Sequence, residues 1–299
     1  MTAATLAPKA PDGPAAPART GRARDRLRAL RRNRLALAGG ILAAVFVLTA
    51  LCAPLLAPYD PAAPDFASVL APPSGAHWLG TDDLGRDQLS RVIHGARASM
   101  QVGVVAVALA FVVGVPLGLA AGYYGKLADS AVSRLTDTLL AFPFLVLAVG
   151  LAAVLGPSLL NATIAIGVSQ IPAVIRITRA ETLRLKHLDY VGAAIASGGG
   201  DGTVLFRHIL PNATSGLIVQ ATVGIPAAII GEALLSFLGL GVQPPAPSLG
   251  VMLSSAQPFL GPAPWMAVFP GLAIVAATLA FNLLGDGLRD VLDPRGGNR

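Results

Sequence analysis

Residues 138–175 read TLLAFPFLVLAVGLAAVLGPSLLNATIAIGVSQIPAVI, a stretch of 38 residues without a charged side chain. As a single helix it would measure about 57 Å, nearly twice a hydrocarbon core of roughly 30 Å. The chain therefore has to turn back within it. Gly156-Pro157-Ser158 offers the break, because proline lacks a backbone donor and disfavours helix in the residue before it. The stretch predicts two membrane-spanning helices, the second of which continues to about Thr178.

Four other apolar stretches are long enough to cross a bilayer. They are Leu35 to Ala57, Ala98 to Gly122, about Asn212 to Leu235, and Trp265 to Gly285. Between the last two, Leu238 to Pro264 is uncharged but dense in Gly and Pro, which predicts a re-entrant or surface-lying segment. The predicted fold class is an all-α integral membrane protein with six transmembrane helices.

The overall composition agrees with a membrane protein. Hydrophobic residues make up 54% of the chain and charged residues only 13%, whereas a soluble domain carries roughly 25% charged residues. The single cysteine, Cys52, excludes an intramolecular disulfide, and the Cys and His spacing excludes a structural zinc site, so no metal is expected. Nine of the 22 Lys and Arg residues precede residue 35, where aromatic residues are absent. The basic excess therefore indicates membrane topology rather than nucleic-acid binding.

The distribution of basic residues predicts the orientation of the chain. With six spans and the N-terminus inside, 19 of the 22 Lys and Arg residues lie in inner segments. The outer segments contain only Arg86, Arg91 and Arg97. Because short cytoplasmic segments are enriched in Lys and Arg, both termini are expected on the cytoplasmic side of the membrane. Arg179 to His208 then forms the longest internal cytosolic loop.

This cytosolic loop has the sequence of a helix, a bend and a second helix. It contains Asp189-Tyr190-Val191-Gly192-Ala193-Ala194-Ile195-Ala196-Ser197-Gly198-Gly199-Gly200-Asp201. Tyr190 to Ala196 predicts a short helix of small residues, Gly198 to Gly200 permits a sharp bend, and Asp201 is placed to cap the second helix. Another protein could approach such a helix closely. A generic loop between two spans fits the same residues.

The loop resembles the EAA loop of ABC importer permeases. That pattern is Glu-Ala-Ala, three residues, Gly, nine residues, and an apolar position ending in Leu-Pro. The positions in register are Ala193, Ala194, Gly198, Leu210 and Pro211. The sequence departs from the pattern at Gly192, where the family has Glu, and at His208, which takes the apolar position. The run Arg207-His208-Ile209-Leu210-Pro211-Asn212 is the form typical of peptide and nickel importers.

Three further blocks resemble the dipeptide, oligopeptide and nickel group of these permeases. They are HWLGTDDLGRD at 77–87, FLGLGVQPP at 237–245 and NLLGDGLRD at 282–290. The resemblance extends from Arg31 onward, and the long loop after the first span is similar to that of the C-type partner of the two permeases in such systems. The predicted division of the chain is a cytosolic, disordered tail (1–34), a first helix with an external loop (35–97), a five-helix permease core (98–290) with the coupling loop at 181–211, and a cytosolic tail (291–299).

The resemblance also implies a site and partners. In this family the EAA helix is a coupling helix that inserts into a cleft of a cytosolic ATPase. The ATPase-coupling residues implied are Tyr190, Ala193, Ala194, Gly198, Asp201, Arg207, His208, Leu210 and Pro211. The implied partners are a second homologous permease, two cytosolic ATPase subunits, an extracytoplasmic solute-binding protein and the lipid bilayer. Peptides are the favoured cargo, and nickel or another small solute is the alternative.

The sequence carries no Gly-x-x-x-x-Gly-Lys-Ser/Thr phosphate loop, which such an ATPase would need. The chain is therefore expected to be a non-catalytic subunit without a cofactor of its own, with ATP and Mg bound by the partner subunits. The alternative function is an ion-coupled secondary transporter without an ATPase. That class needs ionisable groups in the spans, and only Glu232 supplies one. A membrane-embedded hydrolase would need a nucleophile and a base within reach, and the spans show no such pair.

Several single residues allow two interpretations. Glu232 is a candidate for the translocation path, because an ionisable group at membrane depth is often functional, although an interfacial or helix-packing role fits as well. His77 next to Trp78 favours loop packing over metal capture. Asp82, Asp83, Arg86 and Asp87 fit either contact with the external binding protein or a solvated ion network. The four-residue spacing of Gly114, Gly118 and Gly122 predicts close helix packing.

Overall fold

The computed structural model of the protein describes residues 33–292. Within that range the chain is helical, and its only β-type pairing is the isolated bridge between Thr81 and Asp87. The helices are α1 (Arg34–Leu51), α2 (Gln88–Tyr124), α3 (Lys126–Leu140), α4 (Phe144–Leu155), α5 (Leu159–Leu185), α6 (Asp189–Ala196), α7 (Asp201–Phe237), α8 (Leu249–Ala256) and α9 (Trp265–Leu292). Short helical turns, Ala53–Leu56 and Gln257–Phe259, follow α1 and α8. The tails predicted at 1–34 and 291–299 lie almost entirely outside the described residues.

Among residues 33–292, five helices are long and apolar enough to cross a membrane: α1, α2, α5, α7 and α9. The sixth candidate is the pair α3 and α4, which is bent by 87°. The third predicted span is therefore broken between α3 and α4. Pro143 disfavours helix in Phe142 and so interrupts the helix at this point. The predicted return at Gly156 is confirmed. Gly156 ends α4 with φ +88°, and the Ser158 hydroxyl caps α5 by accepting the N–H of Asn161.

Two helices begin about ten residues before the uncharged runs that predicted them. α2 begins at Gln88, ten residues before Ala98, because the Asp87 carboxylate caps it by accepting the N–H of Ser90 at 2.8 Å. The boundary predicted at residue 97 therefore falls inside a continuous helix. α7 begins at Asp201 rather than near residue 212, and π-helical turns at Val204–Ile209 connect its start to the apolar part.

A row of glycines joins α2 to α5, as their spacing predicts. A Cβ atom added at Gly114, Gly118 or Gly122 would lie 2.6–2.8 Å from side-chain atoms of α5. The α5 residues opposite them are Val174, Thr178 and Thr182. The two helix backbones can approach this closely only because the glycines carry no side chain. This packing is confirmed, and it forms the centre of the helix bundle.

The loop between α1 and α2, called the external loop after its predicted location, is organised around a buried carboxylate. Asp82 is 3% exposed, and its carboxylate accepts hydrogen bonds from the Arg86 backbone N–H at 2.9 Å and from Arg86 Nε at 2.7 Å. Arg91 Nε lies 3.3 Å from the same carboxylate. His77 Nδ1 bonds Asp87 Oδ1 at 3.0 Å, which agrees with the loop-packing interpretation. Of the two interpretations of this cluster, the solvated network does not hold for Asp82, Arg86 and Asp87, because the loop encloses them.

The same loop is tied to the start of α9 and to the segment before it. The indole N–H of Trp265 donates to the carbonyl of Thr81 at 3.0 Å, and Gln88 Nε2 donates to the carbonyl of Met266 at 3.0 Å. The segment 238–264, predicted as re-entrant or surface-lying, folds back onto α7 and contains α8. The loop, α8 and the start of α9 therefore form one packed end of the molecule.

Candidate coupling site

The short helix α6 is the centre of the candidate site. It spans Asp189–Ala196, one residue more than predicted, and is followed by the predicted bend. Gly198 has φ +82° and donates its N–H to the carbonyl of Ile195 at 2.9 Å. Gly199 then donates to the carbonyl of Ala194 at 3.0 Å. The left-handed conformation explains why glycine is required at position 198.

One side of α6 is fixed to the bundle by Val191. This side chain is completely buried and packs in an apolar cluster that joins three other helices. The cluster also contains Leu119 of α2, Leu185 of α5, and Val204, Leu205, Ile209, Ala213 and Leu217 of α7. Sequence reasoning missed this anchor. The signal that could have revealed it is that Val191 and Ala193 point to opposite sides of a helix, because two residues span about 200° at 3.6 residues per turn.

The opposite side of α6 is open and, apart from Asp189 at its start, is lined by small residues. Gly192, Ala193 and Ala196 are exposed there, whereas Ile195, which is 50% exposed, lies nearer the Val191 side. Ala194, which was predicted to dock together with Ala193, is only half-exposed and lies next to Gly199. The nearby Phe206 side chain is 61% exposed, and neither it nor Ile195 belongs to the pattern that singled out the loop. The free surface is therefore the Gly192, Ala193 and Ala196 side of the helix.

Tyr190 connects α6 to the start of α7. Its hydroxyl donates to the carbonyl of His208 at 3.4 Å, and Asn212 Nδ2 donates to the same carbonyl at 2.7 Å. Burial raises the pKa of Tyr190, so its phenol stays protonated and able to donate at neutral pH. Both hydrogen bonds are made to the backbone carbonyl of His208 and not to its imidazole ring. Arg207, beside it, is exposed.

Asp201 does not cap the second helix as predicted. Gly200 occupies the N-cap position. Within the described chain the Asp201 carboxylate instead accepts a hydrogen bond from the Tyr123 hydroxyl, with 3.0 Å between the two oxygens. This bond joins the end of α2 to the start of α7. Lys186 adds a second tie by donating to the carbonyl of Gly122 at 2.9 Å. Sequence reasoning could not find these pairs, because their partners are far apart in the chain.

Leu210 and Pro211 lie where the π-helical turns of α7 give way to regular α-helix. Proline lacks an N–H and would clash with the carbonyl four residues earlier in a regular helix. The wider turns at Val204–Ile209 accommodate it. They also orient Leu205 and Ile209 into the cluster around Val191. Leu210 and Pro211 therefore help to place the α7 surface against which α6 packs.

Glu232 is the remaining residue singled out by the sequence. It lies in α7, far along the helix from α6, and its side chain is 0% exposed among residues 33–292. Three hydroxyls donate to its carboxyl group, those of Ser99, Ser236 and Ser248. In this chain the carboxyl group is thus enclosed by hydroxyls, and it is separate from the α6 surface.

Replacing Gly192 with alanine tests how well α6 is formed. No heavy atom of residues 33–292 lies within 4 Å of a Cβ placed there, so a methyl group fits without repacking. Alanine favours helix over glycine by about 1 kcal/mol. We expect amide hydrogen exchange in α6 to slow by about fivefold, which hydrogen–deuterium exchange mass spectrometry of the purified protein measures. Unchanged or faster exchange would contradict an exposed, unobstructed Gly192.

Comparison with known families identifies the chain. Residues 114–296 match the family model of the binding-protein-dependent transport system inner membrane component. The chain belongs to this family. A second model, the N-terminal transmembrane domain of oligopeptide transport permease C, matches residues 21–73. Together they identify a C-type permease of the peptide group of ABC importers, as the sequence blocks predicted.

Individual relatives agree with this assignment. The chain is 46% identical to the dipeptide transport system permease protein DppC of Alkalihalophilus pseudofirmus over 91% of this chain and 90% of that protein. It is 44% identical to the glutathione transport system permease protein GsiD of Pectobacterium atrosepticum, with 88% of each chain covered. Among solved structures, the inward-facing MetNI methionine ABC transporter aligns with a TM-score of 0.57 and 19% identity, covering 69% of this chain and 97% of that one. This likeness confirms the ABC importer permease fold.

Proposed function

We propose that this permease forms the path for peptides through an ABC importer and that α6 docks on a cytosolic ATPase whose nucleotide hydrolysis drives transport. The observation that carries the proposal is the two-sided construction of α6. Val191 fixes one side in the core, and the Ala193 side is open and, apart from Asp189 at the start of the helix, carries only small side chains. Small exposed residues let a partner approach the helix backbone closely.

The way α6 is attached supports a mechanical role. The cluster around Val191 includes residues of α2, α5 and α7, which are three of the five long helices. The bond from Tyr123 to Asp201 and that from Lys186 to Gly122 connect the cytosolic ends of the same helices. Because packed cores shift between discrete arrangements rather than deform continuously, a displacement of α6 should move these helices together.

The cargo and partners follow from the family. The relatives are named as dipeptide and glutathione permeases, which supports short peptides over nickel as the cargo. The proposed partners are a second permease, two ATPase subunits that bind ATP and Mg, and an extracytoplasmic solute-binding protein. The proposed location is the bacterial inner membrane with both termini in the cytoplasm, since 19 of the 22 basic residues then lie inside.

The test is reconstitution of the chain with its partner permease, ATPases and binding protein in lipid nanodiscs. We expect dipeptide-loaded binding protein to stimulate ATP hydrolysis severalfold over the unloaded protein, because loading is what should commit the complex to transport. A permease without the ATPases serves as the control and should show no peptide uptake in proteoliposomes. Uptake driven by a proton gradient in that control would favour the ion-coupled alternative and overturn the proposal.

A further inference from the structure

Glu232 lies where α2, α7 and the segment Leu238–Pro264 meet, far from the coupling site. Ser99 Oγ of α2 lies 2.6 Å from its Oε2 atom. Ser236 Oγ of α7 and Ser248 Oγ, at the start of α8, lie 2.8 and 2.7 Å from its Oε1 atom. The side chain is fully buried. One carboxyl group therefore bonds residues of three separate elements and holds them in register.

The backbone fixes the direction of two of these hydrogen bonds. Ser236 Oγ accepts the N–H of Val242 at 3.1 Å, and Ser248 Oγ accepts the N–H of Gly250 at 3.2 Å. Each hydroxyl still has its own proton to donate, and the carboxylate oxygen Oε1 of Glu232 is the acceptor within hydrogen-bond distance. The Oε1 atom thus accepts two bonds, and each serine passes the constraint on to the backbone of the segment. Both ends of the stretch 242–250 are set in this way.

The segment also approaches α7 more closely than side chains would allow. A Cβ at Gly250 would overlap the carbonyl of Ala233, and one at Gly241 would overlap Ser236. Met252 and Ser255 of the segment line a small pocket together with Asp82 and Arg91 of the buried ion network. The segment therefore connects α7 to the buried ion network of the loop, and Glu232 lies at the base of this connection.

We propose that Glu232 is a positioning residue for transport: through Ser236 and Ser248 it sets the course of Leu238–Pro264 between α7 and the external loop. The transport part of this inference rests on the proposed function, whereas the positioning part does not. The role requires an acceptor at Oε1 and a polar atom facing Ser99, but not a negative charge. Glutamine meets both requirements, because its amide oxygen accepts two hydrogen bonds and its NH₂ group donates to the Ser99 hydroxyl.

The experiment compares Glu232→Gln with Glu232→Leu in the full chain. We expect the glutamine variant to keep native amide exchange in residues 240–252 and peptide uptake within about twofold of wild type, because its hydrogen bonds replace those of glutamate. The leucine variant leaves three buried hydroxyls without their acceptor. We expect its exchange in 240–252 to rise about tenfold or more and its uptake to fall by a similar factor, with exchange in α6 unchanged.

Two outcomes would overturn the inference. If the glutamine variant loses uptake as fully as the leucine variant while its exchange stays native, the ionised group itself is needed, as in a path-lining role. If the leucine variant keeps native exchange, Glu232 positions nothing. Ser248→Ala is the milder substitute should the leucine variant fail to insert, and faster exchange of Gly250 is expected for it. Failure of the proposed function is distinguishable, since wild type would then lack ATP-driven uptake while the exchange contrast persisted.

Discussion

Replacing Ala193 with arginine should nearly abolish ATP-driven peptide uptake while leaving the permease inserted in the membrane. The side chain lies on the open side of α6, opposite the anchored Val191, so arginine fits without disturbing the core. In the proposed complex it would place a long charged side chain in an interface shaped for a methyl group. An unpaired buried charge costs about 3 kcal/mol, which corresponds to docking on the order of 100-fold weaker. Copurification of the ATPase and uptake into proteoliposomes measure both effects.

The matched control is Ala193→Ser, which adds a single oxygen and should keep uptake near wild type. Ala194 is a poorer position for this test than the sequence pattern suggests. It is only partly exposed, so a large side chain there would also have to displace neighbouring atoms of the protein. Normal uptake and ATPase binding by the Ala193→Arg variant would exclude the exposed side of α6 as the docking surface.

Replacing Gly118 with leucine should prevent α2 and α5 from packing and remove most of the folded permease. A Cβ at position 118 would lie 2.6 Å from Thr178 Cβ and 2.8 Å from the carbonyl oxygen of Ile175. The second contact is with backbone, which cannot rotate away as a side chain would. Overpacking a core usually costs about 1–3 kcal/mol, and a backbone clash in the bundle centre lies at or above the upper end. Thermal unfolding in detergent and the yield of monodisperse protein report the loss.

Gly118→Ala and Gly150→Ala form a matched pair for this prediction. Both add one methyl group to a helix, but no heavy atom of residues 33–292 lies within 4 Å of a Cβ at Gly150. The Gly150 variant should be as stable as wild type or slightly more so, because alanine is the better helix former. Equal stability of the two variants would show that α2 and α5 are not in close contact at Gly118.

Much of the fold could be predicted from uncharged stretches and a few turn residues. A run of more than 20 residues without charge must cross or enter the bilayer, and this local property placed α1, α5 and α9. Gly156 and Ser158 marked the return between α4 and α5 because their conformational roles are local. Likewise, the repeat Gly114, Gly118 and Gly122 predicted a close contact, although not the residues on its other side.

The errors arose where distant residues decide the outcome. Charged Arg91 and polar Gln88 look like loop residues, yet they are 2% and 1% exposed and lie inside α2. They are buried because Asp82 and the start of α9 supply partners that local sequence does not reveal. Pro143 was missed as well, although its effect is local: it breaks the third span at the 87° bend between α3 and α4.

The candidate site shows the same division. Small residues and glycines made α6 and its bend predictable, since Gly198 is needed where the chain adopts φ +82°. The packing of Val191 decides that Ala193 is exposed and that Ala194 is turned toward the bend. Asp201 looked like a cap because an acidic residue at a helix start usually serves as one. Its carboxylate instead accepts a hydrogen bond from the hydroxyl of Tyr123, 78 residues away.

By itself, the amino-acid sequence determined the membrane class, the number of apolar stretches, the orientation expected from Lys and Arg, and the family. These depend on transfer of residues between water and lipid and on short patterns, both of which act along the chain. Only the tertiary structure decided which side of α6 is open, that Glu232 is enclosed by three serines, and that the charges of the external loop are buried. Such features depend on contacts between residues distant in sequence, and burial is a property of the assembled helices rather than of any one of them.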